Sequence, residues 1–112
     1  MSCELPHRED WSDGVNGTTY LGRTYAVTEE GGVDTLERAV CEVKDAAGIV
    51  MLTLDSDGSG AVITTATAGS WVFTIEAISN LPLDPGFYSY TITLTTSLPD
   101  EFRFVMGQWK IN

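Results

Sequence analysis

The chain is poor in bases, histidine and cysteine, and it has no long apolar run. Six Lys and Arg face sixteen Asp and Glu across 112 residues, for a formal net charge of −10. That acidic excess repels nucleic-acid phosphates and anionic membranes, and neither is expected as a partner. The same balance favours solubility and suits a basic patch on a partner protein. The single histidine, His7, lies in a polar leader. A Ser-His-Asp or Cys-His site needs a folded setting that this leader does not offer, so His7 reads as solvated. With Cys3 and Cys41 it makes only three candidate zinc ligands, and no cofactor or metal is expected. Two cysteines are too few for a disulfide scaffold. Cys41 sits in an apolar-patterned segment and reads as a buried thiol; a Cys3–Cys41 bridge is open, but the spacing gives no argument for it. No apolar stretch approaches the ~20 residues of a membrane helix. Met1 to Asp10 lacks the basic start and apolar core of a secretory signal, so folding in a reducing cytoplasm is expected. The glycines follow neither the P-loop nor the dinucleotide spacing.

The acids that are present do not assemble into obvious chemistry. Glycosidase-type catalysis needs two carboxylates across a cleft. Glu29 with Glu30, and Asp100 with Glu101, are adjacent acids in turn-like sequence, where solvation is the ordinary fate. Asp55-Ser56-Asp57-Gly58-Ser59-Gly60 resembles the first half of a calcium loop, but Ala66 stands where the bidentate Glu belongs. An acidic β-turn explains the segment, since Asp and Gly suit its backbone and local hydrogen bonds. The chain is therefore expected not to be an enzyme.

What is present is strand signal. Residues 1–17 form a polar leader with Trp11, read either as a disordered terminus or as an extended arm that orders on a neighbouring subunit with Trp11 as anchor. Residues 18–112 read as one domain. Thr18 to Thr28 is rich in Thr, Tyr and Val, with Gly22 as a candidate bulge. Leu36 to Asp45 alternates, with Ala39, Cys41 and Val43 on one face. Ile49 to Leu54 is a short continuous run between turns, which fits a buried strand. Ala61 to Thr67 is β-branched. Trp71, Phe73, Ile75 and Ala77 share a face, and so do Tyr88, Tyr90, Ile92 and Leu94. Leu81-Pro82-Leu83-Asp84-Pro85-Gly86 excludes a central strand and predicts a tight turn. Phe102 to Met106 and Gln108 to Ile111 close the chain around Gly107. About seven short strands without an amphipathic helix predict an all-β, single antiparallel β-sandwich, Ig-like or jelly-roll-like, with an extended N-terminal arm.

Tyr88, Tyr90, Trp71 and Trp109 invite comparison with a sugar-stacking platform, although alternating strands use such residues for the core. Trp109, near the end, is the one expected to be exposed. Trp11, Tyr20 and Trp109 are the candidate interface residues.

The order of Leu36 to Val43, Gly48 to Leu54, Trp71 to Ala77, Leu81 to Gly86, Phe87 to Leu94 and Phe102 to Ile111 resembles a family of small phage and prophage virion domains. The most telling stretch is Leu83-Asp84-Pro85-Gly86-Phe87-Tyr88-Ser89-Tyr90. The layout, over residues 18–112, is similar to the N-terminal domain of phage baseplate upper proteins and related Ig-like virion modules. The resemblance implies a non-enzymatic structural protein of the virion, assembled in the host cytoplasm, with copies of itself and other virion proteins as partners. It implies a tail, baseplate or adaptor component, joined through sheet edges and the arm into a homo-oligomeric assembly. No fibre or receptor-binding part is expected after residue 112, and an adaptor, a tail-tube decoration or a head (capsid) decoration stands beside the appendage anchor as an expectation. The alternative from the residues alone is a stand-alone carbohydrate- or protein-binding module.

Overall fold

The structure, a computed structural model, describes residues 7–28, 32–97 and 101–112. Seven full strands and one two-residue strand build two sheets, and the described residues contain no helix. The larger sheet contains β1 (His7–Arg8), β8 (Glu101–Ile111), β7 (Gly86–Thr96), β3 (Leu36–Lys44) and β4 (Val50–Asp55), in the order β1-β8-β7-β3-β4. The smaller contains β2 (Arg23–Thr28), β6 (Ser70–Ile75) and β5 (Ala61–Thr67), in the order β2-β6-β5. All pairings between full strands are antiparallel; β1 alone lies parallel to its neighbour, β8.

Alternation places the core. Tyr88, Tyr90, Ile92 and Leu94 of β7, Ala39, Cys41 and Val43 of β3, and Trp71, Phe73 and Ile75 of β6 are all buried. Each face meets the other sheet, because period-two side chains of a pleated strand alternate between the core and the outside. Phe104 of β8 meets Phe73 of β6 edge-on at 5.8 Å and Tyr25 of β2 at 5.9 Å, which joins the two layers into a sandwich-like body. Fully burying an aliphatic or Phe side chain contributes about 1.5–3 kcal/mol, so these facing rows dominate the fold's stability.

Five details depart from the pattern in the sequence. The two closing segments are one eleven-residue strand that runs straight through Gly107. In that strand a register shift opposite Ile92 and Thr93 lets the successive residues Phe104 and Val105 both turn inward. Gly22 is not a bulge: Tyr20 pairs with Ile78 and Arg23 with Ile75, three residues apart on each side, so no residue is inserted. It is glycine because a Cβ there would stand 2.2 Å from the Ile75 carbonyl oxygen.

The largest departure is at Ile49 to Leu54. The run forms an edge strand, β4, and only Leu54 is buried. Ile49, Val50 and Met51 are 59%, 43% and 48% exposed. The difference has a physical origin: a short apolar run has the same composition in a central strand as at an edge, and only sheet order separates the two. The proline-rich segment before β7 does more than turn, since Leu81 and Leu83 are both 1% exposed core residues. It closes on the Tyr88 hydroxyl, which donates to the Asp84 carbonyl at 2.7 Å.

Burial sets the protein's response to alkali. Desolvation raises the Cys41 thiol from 9.0 to about 12 and the Tyr25 phenol from 10.0 to about 12; Tyr90 is raised in the same way. Above pH 9.0 the unfolded chain releases protons that the folded chain keeps, so stability falls as pH rises. The urea midpoint is expected to hold steady at neutral pH and decline from pH 9.0 upward, with a shallower early decline in Cys41→Ala. A wild-type midpoint unchanged to about pH 11 would contradict this linkage.

Candidate interaction site

The leader is built into its own chain. Glu9 N–H donates to the Met106 carbonyl, Trp11 N–H to Gln108 and Gly14 N–H to Lys110, at 2.9–3.0 Å, and Asn112 N–H donates back to Gly14 at 2.8 Å. Residues 9–14 thus follow the outer side of β8. Gly107 makes room for them: a Cβ there would lie 1.7 Å from the Glu9 carbonyl oxygen. Gly14 is similarly close-packed against Ile111 and Leu81, each 3.0 Å from where its Cβ would be.

Two residues of this segment reach both sheets. The Glu9 carboxylate accepts from Arg23 Nη1 at 2.7 Å and from the Tyr25 hydroxyl at 2.8 Å, both on β2 of the smaller sheet. Its backbone carbonyl accepts from the Tyr90 hydroxyl on β7 of the larger sheet. Trp11 stacks on Tyr90 with ring centroids 4.0 Å apart, meets Trp109 edge-on at 5.1 Å, and donates from Nε1 to the Tyr25 hydroxyl at 3.2 Å. The Arg23 guanidinium lies 5.3 Å from the Trp11 ring, within cation–π range. Glu9 and Trp11 therefore form a staple across the open side of the two layers.

All three candidate interface residues converge on this staple. Trp11 and Trp109 are 6.2 Å and 4.6 Å from Tyr20, centroid to centroid. Burial decides their role. Trp11 is 5% exposed and Trp109 1%, so both are spent on the chain's own core and leave almost no surface for a partner. The expected exposure of Trp109 and the anchoring of Trp11 on a neighbour give way to an anchor within the chain, because an indole left in water would forfeit the burial that Tyr90 and Trp109 offer. Tyr20 is half-buried at the rim, where its hydroxyl donates to the Ser12 carbonyl at 2.7 Å. Beside it runs an open groove of about 410 Å³ lined by Ser12, Thr19, Tyr20, Leu21, Gly22 and Arg23. The proposed sugar platform does not form, since Trp71, Tyr88, Tyr90 and Trp109 are all buried.

The acidic loop is a hydrogen-bonded turn. Asp55 accepts from Arg38 Nε at 3.0 Å and from Asp57 N–H at 2.9 Å, and a second guanidinium contact reaches its other oxygen. The Arg38 hydrogen bond holds the Asp55 carboxyl below its usual range. Among the described residues no group of three His, Cys, Asp or Glu is placed to hold a metal ion. Cys41 is a free, buried thiol. Cys3, Glu29, Glu30 and Asp100 lie outside the described residues, as do the side chains of His7 and Glu101. No helix among the described residues is long and apolar enough to cross a membrane.

Sequence reasoning missed the Glu9–Arg23–Tyr25 network and the open edge at β4. The first joins residues far apart in sequence and leaves no periodic trace. The second had a partial signal, because Leu52 and Leu54 alternate with Met51 and Thr53. No protein-family model matches the chain, and no curated protein does.

Trp11→Ala is expected to lower stability by about 3–5 kcal/mol, the usual cost of truncating a buried aromatic. Gly107→Ala should cost about 1–3 kcal/mol by pushing the leader off β8. Urea denaturation measures both. A loss below about 0.5 kcal/mol for Trp11→Ala would mean that the leader is not anchored.

Proposed function

We propose that the chain is a non-enzymatic, Ig-like structural module of a phage particle, a tail, baseplate or adaptor component that assembles through its sheet edges. The strand orders support the Ig-like part. An immunoglobulin-type sandwich sets strands G-F-C-C′ against B-E-D, and β8-β7-β3-β4 against β2-β6-β5 has the same order. Tyr88, near the start of β7, bonds the backbone four residues upstream, as the tyrosine of an Ig-type corner does. Two residues later, where antibody domains carry the second inter-sheet cysteine, stands Tyr90. Its hydroxyl and that of Tyr25, on the B-like strand β2, both hold Glu9. In this reading the leader's staple replaces the disulfide, which suits folding where thiols stay reduced.

The observation that carries the assembly role is the free edge of β4, with three neighbouring apolar residues exposed on an otherwise acidic molecule. Exposed apolar edges are templates for another strand, and proteins that remain alone usually blunt them. With the three tryptophans, Tyr88 and Tyr90 buried, edges, loop tips and the exposed Phe87 are what the module has for contact.

The test is composition of particles released by the strain that carries the gene. Quantitative mass spectrometry should find the chain in purified particles at a fixed, multi-copy ratio to the major structural proteins. Its absence from particles, with the free chain present in the same lysate, would overturn the virion role.

A further inference from the structure

The geometry points to the edge of β4 as the docking site for an extended segment of another protein, apolar at its centre and carrying Lys or Arg at both ends. The inference rests on the edge-assembly reading above and names the partner's chemistry. The six residues from Ile49, just before β4, to Leu54 carry no charge, and Asp55 ends the strand. Among the described residues β4 pairs only with β3, apart from the Asp55–Gly60 bridge at its end, so one row of backbone groups faces outward. Such a row takes a further strand by main-chain hydrogen bonds, and the flanking side chains choose which strand.

The flanks are acidic at both ends. Asp45 precedes the turn, where its Oδ1 accepts from the Ala47 and Ile49 amides. At the far end one guanidinium, Arg38, lies between Asp55 and the exposed Asp57, 3.6 Å from the latter, which leaves an excess of negative charge. One strand in, Lys44 and Glu42 lie opposite Val50 and Thr53 and cancel.

This arrangement discriminates against a second copy. Antiparallel self-pairing of β4 would bring the Asp45 end of one copy to the Asp55–Asp57 end of the other. Parallel self-pairing would set each acidic end on its own counterpart. Both place like charges together, which destabilises paired strands, and the net charge of −10 on each copy adds to the repulsion. A strand with basic ends and an apolar centre meets complementary charge at both ends instead.

The experiment titrates the intact chain with two synthetic eight-residue peptides that share a Val-Thr-Val-Thr centre, one flanked by Lys-Arg pairs and one by Glu pairs. Backbone amide NMR and calorimetry read the binding. The basic peptide should shift the β4 amides, and its affinity should fall as salt rises. The isosteric pair Asp45→Asn and Asp57→Asn should weaken it about fivefold at low salt, and Ile49→Lys with Met51→Lys should weaken it at least tenfold at unchanged thermal stability. No β4 response at about 1 mM peptide would overturn the inference. Equal binding of the acidic peptide would overturn the charge argument. Self-association of the wild-type chain through β4, strengthened by salt, would replace the partner with a second copy while leaving edge assembly in place. The particle-composition measurement is independent of all these outcomes, so the virion role stands or falls separately.

Discussion

The structure turns on one insertion: the Glu9-to-Trp11 segment enters between two sheets and bonds to both. Two packed sheets have an open side where the layers splay, and polar backbone there must find partners or face water. Here the leader covers that side. Its backbone amides use the outer carbonyls of β8, its carboxylate takes Arg23 and Tyr25 from the smaller sheet, and its indole fills the space between Tyr90 and Trp109. The glycine at position 107 exists for this contact, since any side chain would collide with the Glu9 carbonyl.

That insertion redistributes the molecule's contact surface. Covering β8 removes one edge of the larger sheet from competition, and consuming Trp11 and Trp109 removes the largest aromatic candidates for binding. The opposite edge, β4, keeps its free backbone row and its exposed Ile49, Val50 and Met51. Within the larger sheet, the use made of the leader therefore leaves β4 as the uncovered edge.

Much of the fold was legible in the sequence because its signal is local. The alternation through Leu36 to Asp45, Trp71 to Ala77 and Phe87 to Thr96 assigns each inward face residue by residue, and the structure buries those faces except at Ala77, which is exposed because β6 ends at Ile75. The buried thiol at Cys41 followed from the same alternation. What was not legible depends on which strand lies beside which. β4 was read as buried because an apolar run does not announce a missing neighbour. The sequence leaves open whether the leader is a disordered terminus or an arm anchored by Trp11, because the Trp11 partners Tyr90 and Trp109 are distant in sequence. Trp11, Tyr20 and Trp109 are separate candidates in the sequence; the structure gathers them into one cluster, with Trp11 and Trp109 buried in the chain's own core and Tyr20 half-buried at its rim.

Native-state amide hydrogen exchange tests the central claim most directly. The amides of Glu9, Trp11 and Gly14 are bonded to β8, so they should be protected to the level of the core strands β7 and β8, while the outward amides of β4 exchange fast. Exchange of Glu9, Trp11 and Gly14 at the rate of an unfolded peptide, with β7 still protected, would contradict the account.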